Sequence, residues 1–213
     1  MTKATGSGIW DRRALESDLH AVFTRRWSDE DCRVVHDTQS EAMTRLLDPV
    51  PGELILDLGC GIGRLTGTLL RRTTAVVGVD ISLNMVRRAR TAVPQARLVC
   101  ASATALPLRS GAFDAVCASF VFQHLLDDDS FYAALAECRR VLKPSGRIAM
   151  MEGVGETAHV PPNSTTTVVR TLDQFRAGLA PDAQLAARDD HVFIEDRYVS
   201  LLWRFPGRQG QPR

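Results

Sequence analysis

A cluster of three glycines directly after an apolar run limits the fold more than any other part of this sequence. Gly59, Gly61 and Gly63 follow the run ELILDL (53–58), and a helical pattern begins at Arg64. Glycine permits a sharp strand-to-helix turn and lets the backbone approach a bound molecule closely. A helix that starts here also presents unpaired N–H groups to a ligand. The junction therefore predicts a strand, a binding loop and a helix in succession.

Apolar runs and helical patterns alternate from residue 53 to residue 152. The runs are apolar at nearly every position, which is typical of strands that helices cover on both faces. Strands that alternate with helices pair in parallel through right-handed crossovers. The predicted strands are 53–59, 75–80, 96–101, 113–120 and 147–152, and the predicted helices are 64–72, 82–92 and 130–142, the last capped by Ser130.

The last part of the chain predicts a different connection. A stretch rich in Gly, Pro, Ser and Thr (153–167) and a predicted helix (171–179) come first. Two apolar runs at 184–194 and 198–205, joined by a turn at 195–197, then predict a hairpin that ends the sheet in an antiparallel strand. We therefore expect an α/β fold: a doubly wound, mostly parallel, seven-stranded, Rossmann-like sheet with an antiparallel terminal strand.

The first fifty residues show the pattern of two helices ahead of the main fold. Apolar residues recur at helical spacing from Trp10 to Trp27. A second helix is predicted from Ser28, with Asp31 completing a capping box, to Pro49. The expected organisation is a helical lid (1–50), a main domain (51–206) and a loose tail (207–213).

Composition narrows the classes of function. Lys and Arg number 26 and Asp and Glu number 25, a net charge of +1, so no nucleic-acid partner is expected. The early residues contain no apolar stretch long enough for a secretory signal or a membrane span, so no membrane contact is expected. Five scattered cysteines without a CxxC pair are typical of a reducing compartment, which predicts a cytoplasmic protein. The sequence has no HxxxH or HExxH pattern, so no metal site is expected.

An acid at the end of the second predicted strand strengthens the case for a binding loop. Asp80 follows Gly59 by 21 residues and ends the run AVVGVD, where a carboxylate accepts hydrogen bonds from ribose hydroxyls. Together the two features favour an adenosine-containing cofactor, whereas the glycines alone would also serve a tight turn. The GxGxG spacing differs from the GxGxxG of dinucleotide sites, and no GK[ST] follows, which excludes a P-loop.

Four ordered segments resemble the class I S-adenosylmethionine-dependent methyltransferases. They are ILDLGCGIGRLT, VVGVDISLNMVRRAR, ATALPLRSGAFDAV and RRVLKPSGRIAM, which together span about residues 53–152. The subtype resembles the small-molecule methyltransferases related to ubiquinone-biosynthesis enzymes. The resemblance implies that 51–206 is a methyltransferase domain with S-adenosylmethionine as its cofactor.

The resemblance also implies a role for each matching residue. The loop and the acid before it would hold the methionine part of the cofactor, Asp80 would bind the ribose hydroxyls, and the next residues would contact the adenine. Ser102 stands where the family commonly has Asp, so the hydrogen-bond acceptor at the adenine edge is uncharged here. The implied cofactor-binding residues are Asp57, Gly59, Gly61, Gly63, Asp80, Ile81, Met85, Ser102, Ala103 and Ser119, the last through its carbonyl oxygen.

His124 is the candidate catalytic residue. It follows the fourth predicted strand, so it would border the reacting methyl group and could deprotonate the acceptor as a general base. The alternative is that it caps or packs the adjoining loop. Glu152, Glu156 and His159 lie at or beyond the fifth strand, where substrate-binding loops sit in open α/β sheets.

Three hypotheses for function follow from these observations. The leading one is methyl transfer from S-adenosylmethionine to O, N or C of a small organic acceptor by a monomer or homodimer. A second is a non-catalytic, S-adenosylmethionine-binding regulatory subunit. A third is an NAD-dependent oxidoreductase. The sequence leaves the acceptor and the methylated atom open.

Overall fold

We analysed a computed structural model of the chain, which describes residues 7–24, 26–162, 164–194 and 196–206. The predicted loose tail (207–213) lies outside the described residues, as do residue 195 of the predicted hairpin turn and residues 1–6. The strands are β1 Leu54–Leu58, β2 Ala75–Asp80, β3 Arg97–Cys100, β4 Phe113–Ser119, β5 Leu142–Glu152, β6 Val154–Gly155, β7 Arg170–Thr171, β8 Gln184–Phe193 and β9 Asp196–Arg204. The helices are α1 Gly8–Arg13, α2 Asp29–Leu47, α3 Arg64–Leu69, α4 Leu83–Ala92, α5 Asp128–Val141 and α6 Leu172–Gly178, with short 3-10 helices at Asp18–Ala21 and Phe122–His124.

The predicted sheet is confirmed. In the described part of the chain, seven strands form one sheet in the order β3-β2-β1-β4-β5-β9-β8. The first five strands pair in parallel, and β9 pairs antiparallel with both β5 and β8. Asp57 near the end of β1 lies opposite Gly78 of β2 and Cys117 of β4. The carboxyl ends of these strands therefore meet at one edge, where open α/β sheets bind ligands.

Alternate residues of the central strands pack against different helical layers. Ala115 and Cys117 of β4 belong to an apolar cluster with Met43 and Leu47 of α2. Their neighbours Val116 and Ala118 belong to a second cluster with side chains of α5. Because both faces are covered, the central strands β1 and β4 are apolar at most positions.

The N-terminal segment departs from its prediction. The single helix predicted from Trp10 to Trp27 is wrong, since the structure has α1 and then a 3-10 turn. Arg13 accounts for the break, because its guanidinium donates hydrogen bonds to the carbonyl oxygens of His20, Ala21 and Phe23 and folds the chain back. The capping box of α2 is confirmed: the Asp31 N–H donates to Ser28 Oγ at 3.1 Å, and the Ser28 N–H donates to the Asp31 carboxylate at 3.0 Å.

Both ends of α5 also differ from the prediction. Ser130 does not cap this helix; the carboxylate of Asp127 does, and it accepts the Ser130 N–H at 2.8 Å. Asp is as good a cap as Ser, and it lies three residues earlier. The helix ends at Val141, before the predicted stop. Residues 143–146 then bulge from β5, since Leu142 pairs with Phe113 and Arg147 pairs with Ala115.

None of the helices in the described residues combines the length and the apolar character needed to cross a lipid bilayer.

Candidate active site

A cavity of about 440 Å³ lies at the carboxyl edge of the sheet. Its walls come from the ends of β1, β2 and β4, the segment after β3, and the N-terminal segment. Ten of the eleven sequence-predicted site residues line it: Asp57, Gly59, Gly61, Asp80, Ile81, Met85, Ser102, Ala103, Ser119 and His124. Gly63 is not among the described lining residues.

The glycine loop brings backbone to the cavity in a conformation that side chains rarely adopt. Gly59 and Gly61 have φ angles of 68° and 53°. A Cβ on Gly59 would lie 2.4 Å from a methyl group of Val121, so glycine also sets the distance between the loop and the segment after β4. Gly63 instead allows close packing against Val93, since a Cβ added at this position would lie 2.8 Å from a methyl group of Val93.

Asp80 holds the loop and faces the cavity at the same time. Its two oxygens accept the N–H of Gly61 at 2.9 Å and the N–H of Ser82 at 2.8 Å. Burial raises the pKa of this carboxyl group, although the two N–H donors oppose the shift. A carboxylate has about four lone-pair sites, so two remain for a pair of vicinal hydroxyls. The residue present therefore fits a ribose.

Asp57 is placed beneath the loop, and its side chain is only slightly accessible. The residue is 1% exposed, and Thr66 Oγ1 donates to its carboxylate at 2.5 Å. Burial raises the pKa of Asp57 to about 6, while the Thr66 hydroxyl and the charge of Arg64 oppose the shift.

Arg64 is a cavity residue that the sequence reasoning missed. Its guanidinium donates to Gln39 Oε1 at 2.9 Å and to Ser119 Oγ at 3.4 Å, and it lies 5.0 Å from the centre of the Phe23 ring. Within the described residues no carboxylate lies within ion-pair distance of Arg64. Burial lowers the pKa of Arg64 to about 10, and Asp57 opposes the shift. In the sequence, Arg64 marks only the start of a predicted helix. Nothing in the pattern indicates that its cation reaches the cavity.

His124 lines the cavity from the short helix after β4, a strand that pairs with β1 on the side away from β2. Its Nδ1 is 2.6 Å from the carbonyl oxygen of Thr166, and its Nε2 is 3.3 Å from Nε2 of Gln123. The Trp10 ring packs edge-on against the imidazole at a centroid distance of 4.8 Å. Burial lowers the pKa of His124, so the ring is neutral near pH 7.

The cover of the cavity comes from α1 and from the loop before β7. Ile9, Trp10 and Arg12 line the cavity from α1, and Thr165 and Thr166 line it from the loop. The two threonines were missed because loop sequences carry no periodicity that places them. By contrast, α2 of the predicted lid segment packs on the sheet as part of the hydrophobic core.

Asp11 attaches α1 to the first turn of α4. Its carboxylate accepts the Ser82 hydroxyl at 2.6 Å and the Asn84 N–H at 3.3 Å. These hydrogen bonds lower the pKa of the Asp11 carboxyl group. The cover is therefore joined to the same turn that follows Asp80.

The three polar candidates at and beyond β5 do not line the cavity. Glu156 and His159 are exposed. Glu152 is fully buried, and its carboxylate accepts the backbone N–H groups of Val121, Phe122 and Gln123. Among the described residues, no group of three or more His, Cys, Asp or Glu side chains is arranged to hold a metal ion.

The sheet order, the glycine loop and the acid at the end of β2 agree with the fold that the sequence resemblance implies. The family model described as a methyltransferase domain matches residues 56–150. Over these residues the chain therefore matches a methyltransferase domain, in agreement with the sequence resemblance.

The relatives point to the same class. A demethylmenaquinone methyltransferase from Corynebacterium urealyticum is 38% identical over 109 residues, which cover 51% of this chain and 45% of that protein. A demethylmenaquinone methyltransferase from Beutenbergia cavernae is 36% identical over 155 residues, which cover 66% of this chain and 61% of that protein. This chain thus spans about half the length of the curated relatives it matches.

A solved structure with the same fold is that of phosphoethanolamine N-methyltransferase 1 from Haemonchus contortus, in complex with phosphoethanolamine and S-adenosylhomocysteine. It superimposes with a TM-score of 0.75 at 16% identity, over 97% of this chain and 49% of that one. At this identity the likeness shows the fold alone.

Proposed function

We propose that this protein transfers a methyl group from S-adenosylmethionine to O, N or C of a small organic acceptor. The observation that carries the proposal is that Gly59, Gly61, Asp80 and His124 all line one cavity. When bound, S-adenosylmethionine supplies a methyl group already activated by its sulfonium. The protein then has to align the acceptor, exclude water and hold a proton.

We assign one part of the cavity to the cofactor from the chemistry of the residues that line it. Asp80 would bind the ribose hydroxyls, and Ile81 and Met85 would pack against the adenine, with Ser102 and Ala103 at its edge. The carbonyl of Ser119 and the region of Asp57 would face the ammonium group of the methionine. Arg64, a half-buried cation without an ion pair among the described residues, suits the carboxylate of the same methionine.

The part of the cavity around His124, where the acceptor would bind, is mainly apolar and contains no free carboxylate among the described residues. Trp10, Leu125 and Leu126 line it, and the only acids along the described cavity wall are Asp57 and Asp80, which already hold backbone or hydroxyl groups. A cationic amine would lose its hydration here without gaining a counter-charge. The arrangement therefore favours an uncharged or anionic acceptor, and neutral His124 is placed to accept its proton.

The wider setting of the protein is inferred from its composition. We infer a cytoplasmic monomer or homodimer that acts on a small molecule without a nucleic-acid partner, supported by the net charge of +1 and the five scattered cysteines. Light scattering after gel filtration tests the oligomeric state.

Calorimetric titration of the full chain tests the function. We expect S-adenosylmethionine and S-adenosylhomocysteine to bind and NADH not to bind. A panel of phenols, enols and carboxylates, assayed for S-adenosylhomocysteine release, then identifies turnover. Binding without turnover over such a panel would favour the non-catalytic alternative, and binding of NADH alone would overturn the proposal.

A further inference from the structure

Glu152 ends β5 as a carboxylate with no exposed surface. One of its oxygens accepts the N–H groups of Val121 and Phe122 at 2.8 and 2.9 Å, and the other accepts the N–H of Gln123 at 3.0 Å. Three consecutive backbone donors thus converge on one side chain. A buried carboxylate is costly unless it is hydrogen-bonded in this way.

Arg170 binds the same stretch of chain through its carbonyl groups. It lies in β7 and is 2% exposed. Its guanidinium donates to the carbonyl oxygens of Leu125 at 2.9 Å, Asp127 at 3.3 Å and Phe122 at 3.5 Å. The guanidinium carbon also lies 4.1 Å from the centre of the Phe131 ring, which fixes its plane.

The two side chains therefore hold residues 121–127, which we name the acceptor segment. The Glu152 carboxylate accepts hydrogen bonds from the N–H groups at the start of the acceptor segment. The Arg170 guanidinium donates hydrogen bonds to carbonyl groups along the same segment. The acceptor segment contributes Val121, His124, Leu125 and Leu126 to the cavity wall. Neither Glu152 nor Arg170 is itself among the described residues that line the cavity.

We propose that Glu152 and Arg170 are positioning residues that fix the acceptor segment, and through it His124, against the site of methyl transfer. The importance of this placement for turnover rests on the proposed function. The positioning itself is a property of the free protein and is testable without an acceptor.

Glu152→Gln in the full chain is the first test. The variant keeps the size of the side chain but loses the charge and one accepting oxygen. Above about pH 8, where Glu152 is ionised, we expect the amide exchange rates of Val121, Phe122 and Gln123, measured by NMR, to increase by about tenfold to a hundredfold, the range for a hydrogen bond to a charged group. The NMR titration of the His124 imidazole should shift towards that of an exposed histidine.

Two controls separate positioning from general destabilisation. Glu156→Gln, an exposed acid four residues further on, should change neither readout. The amides of Val77 and Val79 in β2 should keep their protection, since this strand makes no hydrogen bond to Glu152 or Arg170 in the described residues. An equal increase in exchange throughout the chain would overturn the proposal.

Arg170→Lys is the second test, and it decides the question if Glu152→Gln does not fold. Lysine retains the charge but not the fork that reaches three carbonyl groups, so the His124 titration should again shift. An unchanged titration in a folded variant would overturn the proposal. If the unmodified chain fails to bind S-adenosylhomocysteine, the proposed function falls, while the exchange result still decides the positioning.

Discussion

Nδ1 of His124 lies 2.6 Å from the carbonyl oxygen of Thr166. A carbonyl oxygen can only accept a hydrogen bond, so Nδ1 carries the proton of the neutral ring and Nε2 is the basic nitrogen. The neighbour of Nε2 is the side-chain amide of Gln123 at 3.3 Å, a weak contact that an acceptor hydroxyl could replace. The loop before β7 thus sets the tautomer that a general base requires.

His124→Ala should lower the methyl-transfer rate by about 10²- to 10⁴-fold if the imidazole removes a proton from the acceptor. Because burial lowers the pKa of His124, the rate in the unmodified protein should fall only as the pH drops below the ordinary range of histidine. Initial rates of S-adenosylhomocysteine release across pH test this. A variant with near-normal turnover and the same pH profile would leave alignment as the whole mechanism.

Asp80→Ala should weaken S-adenosylhomocysteine binding by about 1–3 kcal/mol, because charge-assisted hydrogen bonds to the ribose are lost. Calorimetry measures the change. Asp129→Ala, which removes an exposed acid, is the matched control. Equal affinities in the two variants would remove Asp80 from the site.

Arg64→Met should weaken S-adenosylhomocysteine by about tenfold to a hundredfold but leave 5′-methylthioadenosine almost unaffected, because the second ligand lacks the amino-acid group. Calorimetric titration of both ligands isolates the contribution of the carboxylate. Arg72→Met, at an exposed position just beyond α3, should change neither affinity. A similar loss for both ligands would show that Arg64 supports the structure of the pocket instead.

Stability should decrease as the pH rises from about 4 to about 7. Burial raises the pKa of Glu152 to about 7 and that of Asp57 to about 6, whereas both lie near 4 in an unfolded chain. The folded state therefore binds more protons in this window, and each group lowers the free energy of unfolding by up to roughly 1.4 kcal/mol per pH unit.

Urea unfolding at several pH values, without ligand, checks this dependence. Glu152→Gln should flatten the upper part of the curve, between about pH 6 and 7, where Asp57 is already ionised and Glu152 is the one of these two carboxyl groups that still titrates. A stability that rises with pH through this window would contradict the assignment of these two carboxyl groups.

The sequence predicted the sheet well because each strand carries its own signal. β2 begins and ends where the apolar run AVVGVD does, and the capping box of Ser28 and Asp31 marks the start of α2. The predicted site residues converge because parallel strands place their carboxyl ends at one edge. Local pattern and overall fold agree at these positions.

The parts that the sequence did not predict depend on contacts between distant residues. Arg13 breaks the first helix by reaching carbonyl groups up to ten residues away, and apolar spacing carries no trace of such a contact. Arg64 and Thr166 reach the cavity through the packing of α2 and of a long loop. Glu152 was a candidate for substrate contact in the sequence, whereas in the structure it is buried and binds the acceptor segment. This role depends on where the acceptor segment lies, which the sequence does not show.

α1 has no buried residue, and the cover is attached to α4 by the hydrogen bonds of Asp11 and by a small apolar cluster in which Trp10 and Ala14 pack with Met85. Substitutions in α1 should therefore leave the packing of the sheet unchanged. If the proposed function holds, the residues for the cofactor lie at the edge of the sheet while part of the acceptor wall comes from a helix outside it, so that acceptor preference could change without repacking the central strands.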